Sequence, residues 1–347
     1  MKKIAILTSG GDAPGMNACI RSVTRFALSQ GLRVYGINRG YAGLIEGDID
    51  ELVKRSVSNT IHTGGTFLQT DRCPEFLDAE YRKAGANLLR KRGIEGLVCI
   101  GGDGTFRGAM ALCKENDIKV VCIPATIDRD LGYTENTIGF DTAVNNCLWA
   151  INSLRDTMQS HNRVTVLEVM GRNAGHLALE GAVAGLADIC LIPEIPYSYF
   201  NIVNHLRKLR AYGRQHALMV VAEGVKTPEG KQVFESVGNK KSLTGIGDYF
   251  AQRLLQEPDN FSVRSTRLGH IQRGGSPVAG DRVLATSFGV RAVELLAANQ
   301  TDKVVGYREG KILDMDLKDV LKIANTPVRP DSGIVRTARG LGMYIGE

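Results

Sequence analysis

The chain has 347 residues, 43% of them hydrophobic and 23% charged, a mix that excludes intrinsic disorder, a collagen repeat and a coiled-coil rod. Its 43 Lys and Arg against 37 Asp and Glu leave a formal charge of +6. Those cations are scattered rather than blocked, which argues against a nucleic-acid partner and leaves small phosphorylated molecules as an equally good reason for the surplus. At roughly 150 residues per domain the length predicts two domains. Met1–Thr8 is too short for a signal peptide, and no window approaches the roughly 20 apolar residues of a membrane span.

Apolar β-rich runs alternate with helix-period segments along the chain. KIAILT (3–8) predicts a strand, Pro14 to Gln30 a helix, RVYGIN (33–38) a strand, and Glu80–Arg92 a helix. GLVCI (96–100) predicts a strand, a helix follows from Thr105, and KVVCIPA (119–125) is the next strand. Runs this apolar fit parallel strands covered on both faces. Phe140 to His161 is a long helical pattern, with Trp149 beside its apolar stripe as a packing or interface residue. A second series starts at RVTVLEV (163–169) and continues through DICLI (188–192), a helix over 201–212 and ALMVVA (217–222). TPEGKQ (227–232) is a turn-rich insertion, Thr244–Gln256 a helix, SVRSTRLG (262–269) a strand, and Asp281–Asn299 a last long helix. The fold class is therefore α/β, with two doubly wound, Rossmann-like, three-layer domains. Cys19, Cys73, Cys99, Cys113, Cys122, Cys147 and Cys190 lack a CxxC pair and mostly sit in apolar runs, so they read as buried reduced thiols of a cytosolic protein.

Three glycine-rich segments follow strands. TSGGDAPGMN (8–17) opens a helix, where glycines admit a ligand to the backbone and the helix end attracts phosphate; it reads equally as a tight turn. IGGDGTFRGA (100–109) places Asp103 inside a glycine turn at a parallel strand's carboxyl end, a position suited to Mg²⁺ bridging phosphates. PATIDRDLGYTENTIGFDTA (124–143) carries Asp128 and Asp130, which read either as one group for a substrate hydroxyl and one for a metal, or as a helix-capping cluster. Two further segments are basic. Arg163 and Arg172 bracket one apolar strand, and RSTRLGHIQRGGSP (264–277) gathers Arg264, Arg267, His270 and Arg273 around a glycine turn, chemistry suited to phosphate oxygens.

With these residues in view, the chain resembles the bacterial ATP-dependent 6-phosphofructokinases from about residue 2 to 300. TSGGDAPGMN, GGDGT, TID-x-D, EVMGR and GHIQRGGSP stand in that family's order and spacing. GGDGT alone would also fit NAD kinases and diacylglycerol kinases, which lack GHIQRGG. The resemblance implies a nucleotide side formed by Gly11, Arg72, Cys73, Asp103, Gly104, Thr105 and Gly108. It implies Asp128 as general base, Thr126 as a substrate contact, and Asp103 and Asp130 as Mg²⁺-linked carboxylates. Met170, Gly171, Arg172 and Glu223 match sugar and transition-state contacts. Arg163, Arg264, His270 and Arg273 match the grip on the sugar 6-phosphate, with Arg163 and Arg264 reaching over from a neighbouring subunit of a homotetramer. Gly11, Arg72, Thr126, Asp128 and Arg172 would carry catalysis, in a cleft between an ATP lobe and a fructose 6-phosphate lobe.

The implied domains are 1–139 with about 272–302 for the nucleotide, and 140–271 with about 303–347 for the sugar phosphate. The implied function is phosphoryl transfer from ATP to the 1-hydroxyl of fructose 6-phosphate, in the cytoplasm and under allosteric control. Pyrophosphate-using members carry GGDD and a Lys in the PxTID motif; Gly104 and Ala125 stand here, which favours ATP, although GRNAGHLAL and FDTAV look more like the pyrophosphate and mixed-donor branch. The usual TIDND reads TIDRD, so Arg129 is a bystander, a charge acting on its neighbouring carboxylates, or the mark of a weakly catalytic regulatory paralogue. A non-catalytic metabolite-binding regulator is the alternative from another class. An effector site for ADP or phosphoenolpyruvate is implied at Arg21, Arg25, Lys54, Arg155, Asp188 and Arg214, with Tyr212 where the family has Lys; the same arginines also read as a solvated helix face.

Overall fold

A computed structural model describes residues 1–237, 240–323 and 325–347. The first strands are β1 (Lys3–Thr8), β2 (Arg33–Ile37), β3 (Ile49–Leu52), β4 (Gly96–Gly101) and β5 (Lys119–Pro124). Between them run helices α1 (Met16–Ser29), α2 (Tyr41–Glu46), α3 (Ala79–Lys91) and α4 (Asp103–Asn116), and α5 (Phe140–Ser160) follows. β1 pairs in parallel with β2 and with β4, and β4 pairs in parallel with β5. Every residue of β4 is buried, which explains why its sequence is unbroken apolar text rather than an alternation.

The second series forms β6 (Val164–Val169), α6 (His176–Ala184), β7 (Ile189–Leu191), α7 (Tyr199–Ala211) and β8 (Ala217–Ala222). An antiparallel ribbon, β9 (Phe234–Val237) and β10 (Lys240–Leu243), precedes α8 (Ile246–Leu255) and β11 (Val263–Arg267). β11, β6, β8 and β7 make a four-stranded sheet in that order, all parallel. A buried acid organises this unit. Glu168, in β6 and 3% exposed, accepts hydrogen bonds from the Thr244 hydroxyl (2.7 Å) and from the Gly245 and Gly247 amides. It thereby satisfies the open amino end of α8, where a negative charge is favoured.

The chain then returns to the first sheet through α9 (Ala279–Ala297), β12 (Lys303–Arg308), β13 (Lys311–Asp316) and α10 (Leu317–Val320), and ends after α11 (Gly333–Gly340). β12 joins β5 in parallel and β13 closes the edge, giving the order β13-β12-β5-β4-β1-β2-β3. One compact unit comprises Met1–Thr142 and Arg273–Asn325, the other Ala143–Gln272 and Thr326–Glu347. This corrects the assignment of 303–347 to the second series: 303–325 belongs to the first, because the exposed edge of β5 offers β12 backbone partners. Only 326–347 stays with the second unit, where Tyr344 bridges to Ile189. Trp149 is 64% exposed, a surface residue of α5. Six of the seven cysteines are buried thiols and Cys73 is half-buried. No described helix is long and apolar enough to cross a membrane.

Glu168→Ala leaves the Gly245 and Gly247 amides without their carboxylate. The expected result is a loss of about 2–4 kcal/mol in the unfolding free energy of the second unit, seen as a lower urea midpoint, with Glu168→Gln recovering part of it.

Candidate active site

The carboxyl ends of β1, β4 and β5 lie side by side, so the three glycine-rich segments meet at one edge of the first sheet. The Thr105 hydroxyl donates to the Ser9 carbonyl at 2.9 Å. This approach requires glycine at 101, where a Cβ would lie 2.3 Å from Thr105 Oγ1 and 2.5 Å from the Ser9 carbonyl. Asp103 is the first residue of α4 rather than part of the turn before it, and Gly102, the N-cap, supplies no side chain to the helix end. The first-turn amides of α4 are thus left for an anionic ligand.

A cavity of about 660 Å³ opens over this edge, within the usual range for small-molecule sites. It gathers Gly11, Arg72, Cys73, Asp103, Gly104 and Thr105, and also Gly108, Thr126, Asp128, Asp130 and Arg273. Arg273 lies against the first loop: its Nη1 donates to the Asp12 carbonyl at 3.0 Å, and a Cβ on Gly11 would approach that nitrogen to 2.7 Å. Burial pushes the Cys73 thiol up, so it is not poised as a nucleophile.

Among these carboxylates, Asp103 is held without a full set of donors. Asp103 Oδ2 accepts Arg107 Nε at 2.8 Å, while its buried Oδ1 has no hydrogen-bond partner. Burial raises the Asp130 carboxyl to about 6, with repulsion from Asp128 and then Asp103 adding to the rise. An orphaned buried carboxylate oxygen beside two further acids is a donor set suited to a hard divalent cation. Among the described residues no three His, Cys, Asp or Glu side chains close around one point. A cation here would therefore complete its shell with ligand phosphate oxygens and water, the usual habit of Mg²⁺. Asp128 and Asp130 precede α5 by ten residues or more, so they do not cap a helix.

Arg129 stands at φ +48° with its guanidinium over the Phe140 ring, 4.1 Å from the centroid. The left-handed region suits the Asn of the usual TIDND better than Arg, and the ring contact offsets part of that cost.

Sequence reasoning missed the apolar wall of the cavity. Tyr41 stacks on Phe76 with centroids 4.0 Å apart and donates its hydroxyl to the Thr105 carbonyl. Gly108 leaves room for that ring, since a Cβ there would sit 2.8 Å from it. Buried Arg82 donates to the Phe76 carbonyl and, bidentately, to Glu115. Tyr41 and Phe76 lie outside every glycine motif, and only Gly108, four residues beyond Gly104, hinted that something large must come close.

In the second unit the predicted residues fall at two opposite ends of the sheet. Met170, Gly171 and Arg172 follow β6, Glu223 follows β8 and His270 follows β11. Gly171 has φ +140°, and a Cβ on Gly224 would stand 2.1 Å from the Arg172 carbonyl, so these turns touch. Buried Gln272, also missed, accepts the Met170 amide at 3.2 Å and donates to the Gly269 carbonyl at 3.0 Å, tying the first turn to that of His270. Arg163 precedes β6, and Arg264 is the second residue of β11, in register with Thr165. The six residues of β6 separate Arg163 from Arg172 by roughly 20 Å, and most of β11 lies between Arg264 and His270. The four residues matched to a sugar phosphate are thus not gathered within either unit, and Arg273 belongs to the first. The implied effector residues are likewise divided. Arg21, Arg25 and Lys54 lie in the first unit. Asp188 pairs with Arg214 at 2.8 Å and Arg155 donates to the Gly185 carbonyl in the second, where Tyr212 is exposed.

A doubly wound α/β unit with an open helix end, a cluster of acids and an apolar cavity wall at the carboxyl edge of its sheet is the arrangement of a phosphate-handling nucleotide enzyme. The phosphofructokinase family model matches residues 3–296, and the chain belongs to that family. It is 49% identical, over 93% of its length and 95% of the other, to the ATP-dependent 6-phosphofructokinase of Clostridium acetobutylicum. Its fold matches a phosphofructokinase structure from Saccharomyces cerevisiae with a TM-score of 0.82 and 31% identity, covering 93% of this chain but 45% of the yeast chain. It also matches the pyrophosphate-dependent phosphofructokinase of Marinobacter aquaeolei, TM-score 0.83 at 21% identity, over 100% of this chain and 89% of that one; that likeness concerns the fold alone.

Because burial pushes the Asp130 carboxyl up to about 6, and a cation held there would compete with its proton, divalent-cation affinity should be full above pH 7 and fall below 6. Mn²⁺ titration followed by electron paramagnetic resonance is expected to give binding about tenfold weaker at pH 5 than at pH 7.5.

Proposed function

We propose that the protein is an ATP-dependent 6-phosphofructokinase: it transfers the γ-phosphoryl group of ATP to the 1-hydroxyl of fructose 6-phosphate, giving fructose 1,6-bisphosphate and ADP. The observation that carries this reading is the Asp103, Asp128 and Asp130 cluster beside the uncapped end of α4, in a chain 49% identical to an enzyme of that name. The apolar wall that Tyr41 and Phe76 lend the cavity supports a nucleoside donor, since a flat base needs such a wall and pyrophosphate does not. Gly104 supports it too: no atom lies within 4 Å of where its Cβ would be, so the ATP side is open.

In this reading Asp128 takes the proton of the attacking 1-hydroxyl, and Thr126 positions that hydroxyl. The backbone around Gly11, the guanidinium of Arg72 and that of Arg172 stabilise charge on the transferring phosphoryl group. Mg²⁺, when bound by Asp103 and Asp130 together with phosphate oxygens, supplies charge neutralisation for the transfer. Met170, Gly171, Glu223 and His270 hold the sugar and its phosphate.

The position of Arg163 and Arg264 at the far edge of their sheet supports a homotetramer in which they serve a neighbouring subunit's site, with Arg273 and His270 from the subunit itself. The divided effector set supports an ADP or phosphoenolpyruvate site of the same composite kind. The protein would act in the cytoplasm.

The pyrophosphate reading rests only on GRNAGHLAL and FDTAV, and a parallel assay with ATP and pyrophosphate decides it. Asp128→Asn should lose about 10²–10⁴-fold in kcat while still binding both substrates; near-normal turnover would sink the assignment. Gly104→Asp should fold normally, because its side chain meets open space, and should weaken ATP binding at least tenfold by placing a carboxylate among the phosphates.

A further inference from the structure

The segment bearing Thr126, Asp128 and Asp130 is fixed from behind. The Ile138 amide donates to the Pro124 carbonyl at 3.1 Å, and the Thr137 hydroxyl donates to the Thr126 carbonyl at 2.6 Å. The loop is thus closed at its base by residues 137 and 138, and what holds those residues holds the loop.

That anchor is Asp281, in the first turn of α9 and 0% exposed. Its Oδ1 accepts the Gly139 amide at 2.8 Å, and its Oδ2 accepts the Thr142 amide at 2.8 Å and the Thr142 hydroxyl at 2.5 Å. The Thr142 oxygen in turn accepts the Val278 amide at 3.0 Å. All three partners of the carboxylate are donors, so an amide in its place would turn an N–H against an N–H. Burial lifts the Asp281 carboxyl to about 6 and Asp141 adds to the rise, while the Thr142 and Gly139 donors pull against it.

The same acid sits where the first loop arrives. Gly139 has φ +101°, and a Cβ there would lie 2.7 Å from the Ala13 Cβ. Gly15 has φ +108°, and its Cβ would stand 2.8 Å from Ile138 Cγ2 and 3.6 Å from Asp281 Cβ. α9 itself follows closely on Arg273, which grips the Asp12 carbonyl. Three segments that line the cavity therefore converge on one buried carboxylate.

We propose that Asp281 is a positioning residue for phosphoryl transfer: by clamping Gly139 and Thr142 it sets the Thr126–Asp130 loop against the Ala13–Gly15 loop, and so aims Asp128 at the attacking hydroxyl. This rests on the reading of Asp128 as the base. Transfer is sensitive to sub-ångström aim, whereas nucleotide affinity comes mostly from contacts outside this loop. The signature is thus a fall in kcat with little change in nucleotide binding.

The test uses the full-length enzyme, with Asp281→Asn, Thr142→Val and Thr137→Val as disruptive variants and Thr142→Ser as the conservative one. Each is assayed at a temperature where circular dichroism shows it folded. Expected are kcat values lowered about 10–100-fold in the three disruptive variants, with ADP affinity in the presence of Mg²⁺ within about threefold of the parent and kcat restored by Thr142→Ser. Amide exchange over residues 125–142 should rise in the same variants. If Asp281→Asn does not fold, Thr142→Val and Thr137→Val decide the matter, because they leave the buried acid in place. Disruptive variants with kcat within twofold of the parent, and only a lower melting temperature, would overturn the proposal. A parent that turns over fructose 6-phosphate, an inactive Asp128→Asn and active clamp variants together would remove the positioning role and leave the function standing. A parent with no turnover removes both.

Discussion

Everything at the candidate site follows from keeping three acids together at the edge of a parallel sheet. Asp103, Asp128 and Asp130 arise from the ends of two adjacent strands, and their mutual repulsion, on top of burial, is what lifts the Asp130 carboxyl to about 6. Such a cluster costs free energy unless a cation or a donor network answers it. The fold answers only part of the charge. Arg107 meets one oxygen of Asp103 and leaves the other bare. A bare buried carboxylate oxygen is the kind of group a hard cation satisfies, and the glycines at 101 and 108 exist there because backbone and ring must come too close for any side chain.

The surplus of positive charge has a similar explanation. Many cations are matched inside the protein: Arg33 with Glu51, Arg82 with Glu115, Arg207 with Asp259 and Arg291 with Asp314. Arg72, Arg163, Arg172 and Arg273 form no ion pair among the described residues, although surface pairs are easily made. They are among the residues that the family resemblance matches to phosphate contacts. If those positions hold phosphates as proposed, part of the net +6 is countercharge for small anionic ligands, although it is scattered in sequence.

Local sequence carried most of the fold because buried parallel strands are continuous apolar text. β4 and β5, LVCI and VVCI at their centres, needed no context to be read. What it could not carry is pairing at a distance. KVVGYR (303–308) forms β12, but nothing local says that it joins β5, some 180 residues earlier, rather than the sheet of the second series. The site divides the same way. Its charged, polar and glycine residues come mostly in short motifs with their own chemistry, and the cavity gathers eleven of the predicted ones, from Gly11 to Arg273. Its apolar wall does not, since Tyr41 and Phe76 are ordinary core residues until the fold stacks them. Asp281 was legible only as the start of a helix, because a clamp is defined by its partners at 139 and 142 and not by its neighbours.

Arg129 shows how that clamp and the cluster constrain each other. A left-handed backbone turn lets Asp128 and Asp130, two residues apart, take separate positions, and Asn or Gly meets that need at least cost. Here an arginine occupies the turn at φ +48°, with its charge over the Phe140 ring. Phe140 is the first residue of α5 and is fully buried between Gly139 and Thr142, the two residues Asp281 holds. The strained turn is thus braced by a ring that the clamp immobilises, and the left-handed geometry survives a residue type that disfavours it. A change of this kind is tolerable only where the surrounding structure over-determines the backbone. By the same argument, the loop's shape is set from the α9 side rather than by the loop's own sequence.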